Sequence, residues 1–306
     1  MIMRSVGKVL LVAVALVAAG CSRDHIKAVE LANKGDKMVK VNVEGALKAY
    51  TEASQLDPEN HLILYKLAMA YKKKEDWSKV ASTLSRASRI APDFANYRYH
   101  RGLALVQLAK AGEKEKYEEA KDPFQKCIQT DPNFAECYHY LGECQLWTDH
   151  EKDAIENFTK AIEHDPTNAS FYVPLAQAYL WLRMYREAGT VLSEGTRIVL
   201  PGDEKVNSHL YSMHILRFQV AQALNDKKGM VEAMEEASEV AGDKHPEISF
   251  NLGSTYAVMD PPRKEKAVRL LKSFNKRACK GRSAEKFKEQ CATSASLIQK
   301  LGGQMN

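Results

Sequence analysis

The chain has no long hydrophobic run. Its one sustained apolar stretch, residues 9–19, is 11 residues long, where a bilayer-spanning helix needs about 20. None of its six cysteines belongs to a CxxC pair, which excludes a zinc ribbon and a dithiol redox motif. There is no HExxH, no GxSxG and no phosphate-cradling glycine loop. The groups that metalloproteases, α/β-hydrolases and P-loop proteins require are therefore missing. The nine histidines show no metal-ligand spacing on a helix face. Ser273 and Lys276 stand at serine–lysine spacing, a pairing that arises by chance on any charged helix. Charge of one sign is also missing. Lys and Arg number 44 against 39 Asp and Glu, and the net +5 falls to +3 once Arg4 and Lys8 are set aside. That balance, read as spread through alternating signs, is too weak for nucleic-acid binding. The expectations are no enzyme, no cofactor, no metal, no nucleic acid and no small-molecule substrate.

What is present is a repeat. Ala46, Tyr50, Ala53 and Pro58 are followed by Val80, Leu84, Ala87 and Pro92, then Ala120, Phe124, Cys127 and Pro132, then Ala154, Phe158, Ala161 and Pro166. Each set runs small or medium, large, small, proline at offsets of four, three and five, and two of the three steps between prolines are 34 residues. The third, from Pro92 to Pro132, is 40. A period of 34 with this punctuation resembles the tetratricopeptide repeat (TPR), a helix-turn-helix unit stacked into a solenoid. The resemblance implies an all-α fold, a right-handed superhelix of about 6–7 helix pairs closed by a C-terminal capping helix. It also implies a surface built for binding proteins.

The N-terminus carries a second pattern. Arg4 and Lys8 precede the apolar stretch, which ends in Ala18-Ala19-Gly20-Cys21. A basic start, a short apolar core and small residues before a cut mark an export signal. Cys21 directly after them resembles a bacterial lipobox, with Ala18 where leucine is usual. In that family the cysteine is lipidated and becomes the mature N-terminus. Ser22 in place of aspartate favours the outer membrane by the same resemblance.

The expected organisation is a signal peptide over 1–20, a lipidated N-terminus at 21–23, TPR repeats 1–5 over 24–201, degenerate repeats 6–7 over 202–282 and a capping helix over 283–306. Residues 24–34 form the first helix, with an extended turn at Gly35-Asp36. Ala109 to Lys116 reads as a lengthened turn, and Pro123 should kink its helix or mark its true start. Trp77, Tyr117 and Tyr185 each stand three residues before the first position of a B-helix set, where an aromatic plugs the turn. By resemblance, the concave face of a TPR array is lined by helix A residues. Here these are Tyr65, Met69, Tyr99, Leu103, His139, Glu143, Gln177 and Leu180, with Trp147 and Trp181, 34 residues apart, near the rim. The lysines and asparagines of chaperone-type peptide clamps are absent from these positions, so recognition of a free carboxylate tail is not expected. Cys127 takes a small core position as an unpaired thiol, Cys137 and Cys144 lie too far apart to bond, and Cys279 and Cys291 are the candidate disulfide.

Together these features describe a non-catalytic scaffold. It is anchored to the outer membrane by lipid, faces the periplasm and binds envelope proteins through its TPR face. It resembles in build the TPR lipoproteins of pilus secretin, motility and envelope assembly. The alternative is a regulator that docks on and activates a cell-wall enzyme.

Overall fold

A residue before proline is pushed out of the helical region by the proline ring, and this rule cuts the chain into repeats. Asp57, Ala91 and Asp131 precede Pro58, Pro92 and Pro132, and their ψ angles are 75°, 80° and 94°. Each ends a B helix there. The next A helix then starts within a few residues, and the first is capped by asparagine: Asn60 accepts from the Ile63 amide at the start of the helix that follows Pro58.

The computed structural model describes residues 23–241, 245–281 and 283–303. The signal segment and Cys21 lie outside the described residues. Seven helix pairs follow one another. They are α1 (23–38) with α2 (Val43–Leu56), α3 (His61–Lys73) with α4 (Trp77–Ile90), and α5 (Ala95–Lys110) with α6 (Lys116–Thr130). Next come α7 (Ala135–Leu146) with α8 (Glu151–His164), and α9 (Tyr172–Trp181) with α10 (Tyr185–Ile198). The last pairs are α11 (Glu204–Ala223) with α12 (Lys227–Ala241), and α13 (Pro246–Val258) with α14 (Lys264–Ala278). Two C-terminal helices, α15 (Ser283–Lys286) and α16 (Lys288–Lys300), stand where a single capping helix is expected. No strand occurs among the described residues. The chain divides into two compact units, with the boundary between Ala154 and Ile155 inside α8.

The repeat positions are the core. All twelve non-proline members of the four sets are buried. Glycine is required where a large neighbour sits directly across: a Cβ on Gly102 would lie 2.6 Å from the Phe124 ring, and one on Gly195 would lie 2.6 Å from Tyr172. In the first unit, one apolar cluster joins α1, α2 and α3 around Tyr50 and Leu67. A second joins α3, α4 and α5 around Leu64 and Leu84, and a third joins α5, α6 and α7 around Phe124 and Leu141. The second unit has equivalent clusters around Leu192 and Met213 and around Met234 and Tyr256.

Five A helices end alike. The amides of Asp76, Glu113, His150, Met184 and Asp226 each donate to the carbonyl five residues back, at 2.8–3.2 Å. This is the bond of a Schellman cap, which needs a left-handed residue just before the donor. Glycine supplies it only at Gly112; elsewhere it is Glu75, Asp149, Arg183 or Asn225, with φ of 55–58°.

Three local expectations are corrected. The first helix runs through Gly35-Asp36 without a turn, because the bare Gly35 backbone admits the Tyr50 ring and Asp36 accepts the Tyr50 hydroxyl at 2.7 Å. The turn comes at 39–41. The inserted stretch begins as helix, since α5 continues to Lys110 with Ala109 buried, and only 111–115 form the turn. Pro123 neither starts nor breaks α6; it lies inside the helix with its ring buried. One amide is lost there, and apolar packing stands against that loss.

Candidate partner-binding face

In the first unit, the A helices α3, α5 and α7 carry an unusual density of rings. Their positions follow from helical spacing: His61 and Tyr65 are one turn apart on α3, and Tyr97 and His100 nearly so on α5. Phe94 stacks on Tyr97 at 5.2 Å between centroids, and His61 packs on Phe94 at 5.0 Å. His61 Nδ1 and the Tyr97 hydroxyl form a hydrogen bond of 2.7 Å. Tyr65 then meets Tyr97 at 5.2 Å and His100 at 5.9 Å. Tyr99 continues the chain to His100, to Phe134 and to Tyr140, at 4.8, 5.0 and 6.0 Å. Tyr140 stacks on Phe124 at 5.7 Å and meets His139 edge-on at 4.9 Å. The result is one ladder of ring contacts across three successive A helices.

Several of the ladder's titratable groups are held in their uncharged forms. Burial pushes the Tyr65, Tyr99 and Tyr140 hydroxyls above the usual phenol range. Burial, aided by Lys72, pulls His100 down to about 4, and its Nδ1 has no hydrogen-bond partner among the described residues. Such a surface offers stacking and apolar contact, with Phe94 as its most open ring at 47 % exposure. It presents no activated nucleophile. Among the described residues no three His, Cys, Asp or Glu side chains are grouped to hold a metal ion.

The residues expected to line a groove divide into several kinds. Tyr65, Met69, Tyr99 and His139 are half-buried in or beside the ladder. Leu103 is buried and belongs to the core: α5 is covered on several sides by its neighbours, so its outward register is lost. Glu143 is held by Lys110 at 2.7 Å, which ties its carboxylate to the A helix of the preceding repeat. Trp147 is 55 % exposed, with one face stacked on Tyr117 at 5.4 Å and 8°. In the second unit Gln177 is exposed, and Leu180 packs against the core around Leu192. Trp181 is 63 % exposed, and Leu182 and Met184 are exposed with it in the α9–α10 turn. Phe94, Phe134, His61, His100 and Tyr140 went unnoticed in the sequence. The recurrence of Pro-x-Phe at Pro92 and Pro132 is the signal that would have found the first two.

The cysteines also need revision. Cys127 is no free thiol: it is bonded to Cys137 with Cα atoms 6.3 Å apart. The Pro132 turn folds α7 back along α6 and brings the two together. Cys279 is bonded to Cys291, 5.7 Å between Cα atoms. Cys144 is free and buried, and burial pushes its thiol well above the usual range.

Residues 42–104 match the tetratricopeptide-repeat family model. Among solved structures, the C-terminal part of a TPR repeat-containing protein from Cytophaga hutchinsonii is similar, with a TM-score of 0.64 at 17 % identity, covering 83 % of this chain and 98 % of that one. PilF of Pseudomonas aeruginosa gives 0.53 at 16 % identity, covering 77 % and 99 %. MamA of Desulfovibrio magneticus RS-1 gives 0.51 at 17 % identity, covering 56 % and 94 %. At these identities the likeness is one of fold. With the 34-residue period and the seven successive helix pairs of the described residues, it makes the fold of this chain an all-α tetratricopeptide-repeat solenoid.

Proposed function

We propose that this protein is a lipid-anchored periplasmic scaffold that holds a protein of the bacterial envelope on the aromatic ladder of α3, α5 and α7, and so helps a larger envelope machine assemble. The ladder is the observation that carries the reading. Rings are rigid and bury much area at small entropic cost, which is why aromatic residues dominate interaction hot spots. Two features of the chain support the location. The lipobox around Cys21 fits a two-signal or multi-chain acyl anchor, which a single chain would not match for strength. The two disulfides fit an oxidising compartment outside the cytosol. The fold likeness to PilF is compatible with an envelope role and carries no more than that.

The test uses crosslinking in intact envelopes. The variant Phe94→Ala with Tyr65→Ala removes two rings at the open edge of the ladder, and partner recovery should fall sharply, since hot-spot truncations cost about 2 kcal/mol or more. Thermal unfolding should move only slightly. Undiminished recovery with intact fold would reject the ladder as the binding face. Cys21→Ala should abolish labelling by a palmitate analogue, and equal label on the variant would reject the anchor.

A further inference from the structure

The positive charge of this chain is concentrated at one end. Residues 263–300 hold twelve Lys and Arg against three Asp and Glu, whereas the remainder of the chain holds 32 against 36. The excess therefore resides in α14 and the two helices after it.

A groove of about 600 Å³ lies between α14 and α16, lined by Lys272, Asn275, Lys276, Lys280 and, at its floor, the Cys279–Cys291 disulfide with Ala295 and Ile298. Lys272 and Lys276 stand one turn apart on α14, and Lys280 follows just past its C-terminal end, so the three line one side of the groove. None of the three is paired with a carboxylate among the described residues. Ile298 is fully buried, and Ala295, Cys279 and Cys291 are half-buried. The site thus has a cationic edge above an apolar floor. The disulfide ties the end of α14 to α16 and fixes the width between them, so little ordering remains to be done on binding.

We propose that this groove docks an acidic segment of a partner protein, one that sets carboxylates against Lys272, Lys276 and Lys280 and apolar side chains against the floor. Charge complementarity selects the occupant: a row of unpaired cations attracts carboxylates and repels basic chains. Concavity selects a polypeptide over a membrane. A helix that lies on a bilayer turns its apolar residues outward into the lipid, whereas here the apolar residues are recessed between two helices. This surface belongs to the second unit, shares no residue with the aromatic ladder and does not depend on it.

The measurement is fluorescence anisotropy on the full chain with two labelled helical peptides. One carries glutamate every fourth residue beside leucines; the other has glutamine in place of each glutamate. The glutamate peptide should bind, and binding should weaken as salt rises. The triple variant Lys272→Gln, Lys276→Gln, Lys280→Gln should weaken it by about tenfold, the loss expected from three exposed ion pairs. The corresponding triple Lys→Arg variant, with charge kept, should bind nearly as the parent does. Ala295→Trp, which fills the groove without changing charge, should also abolish binding. Equal binding of the glutamine peptide, an unaffected Lys→Gln variant, or lysine-dependent binding only to phosphatidylglycerol vesicles would each overturn the proposal. Retained binding by Phe94→Ala with Tyr65→Ala separates this site from the ladder.

Discussion

Replacing Gly102 by alanine should destabilise the protein, although alanine is the better helix former. Gly102 lies inside α5, and relieving the backbone freedom of an interior helical glycine is worth roughly 0.5–1 kcal/mol in favour of alanine. Against that, the new methyl would stand 2.6, 2.7 and 2.9 Å from three atoms of the Phe124 ring. Phe124 is completely buried and cannot swing outward. Overpacking of this kind costs about 1–3 kcal/mol, so the net loss should be about 0.5–2 kcal/mol. The assay is urea unfolding followed by circular dichroism, with the midpoint read at constant slope. Gly189→Ala supplies the milder case. Its methyl would stand 3.3 Å from one Val220 side-chain carbon, a contact that a few tenths of an ångström of give relieves, so the midpoint should fall less than it does for Gly102→Ala. Pairing Gly102→Ala with Phe124→Leu should recover part of the loss, since the two residues are in contact and must couple. A Gly102→Ala variant more stable than the parent, or one that loses less than Gly189→Ala does, would refute the packing account of the repeat.

Three further outcomes are expected. At the left-handed cap position, Glu75→Gly should be neutral or stabilising by up to about 1 kcal/mol, whereas Glu75→Val should destabilise by at least that amount, read from thermal melts. Stability should fall as pH drops from about 6.5 to about 4, because His100 and His214 are each held near 4 in the fold, by burial first and then by Lys72 and Arg217 respectively. The unfolded chain takes up protons through that window and the folded chain largely does not, a linkage worth up to about 3 kcal/mol per histidine, about 6 kcal/mol together; urea midpoints at the two ends of the window, with His214→Gln as the flattened control, measure it. Removing the Cys127–Cys137 bond by the double change to alanine should cost about 2–3 kcal/mol for so short a loop, and dithiothreitol should lower the parent's melting temperature while leaving the double variant's unchanged by loss of that bond.

The core of the repeat was legible because it rests on short-range rules. The small–large–small–proline sets name buried residues correctly, and the pre-proline restriction fixes where each B helix stops. The A-helix ends were harder to see. A Schellman cap advertises itself through glycine, and here Glu75, Asp149, Arg183 and Asn225 take the left-handed position instead, held there by bonds that the sequence does not display. Outward-facing positions on α5 misled for a different reason. An A helix touches its own B helix and the helices before and after it, so Leu103, on the nominally open side, is buried. The Cys127–Cys137 bond is not legible in spacing along one helix, because it pairs α6 with α7 across the Pro132 turn. The basic end was hidden by averaging, since a net +5 over 306 residues conceals an excess of nine over 38.

The two candidate surfaces differ in the force they use, and that difference is itself an experimental handle. Tyr99, Tyr140 and His100 of the ladder are held in their uncharged forms by burial. Contacts made there should depend on apolar area and stacking, and so should tolerate salt. The α14–α16 groove offers exposed ammonium groups, and contacts made there are screened over about 10 Å at ordinary ionic strength. A partner held by both surfaces should therefore lose part of its affinity on adding salt and then level off, the plateau being the share carried by the ladder. Phe94→Ala with Tyr65→Ala should lower the plateau and leave the salt-dependent step. The triple Lys→Gln change should remove the step and leave the plateau. A single smooth loss with salt, equally diminished by both variants, would mean that the two faces do not act as separate contacts.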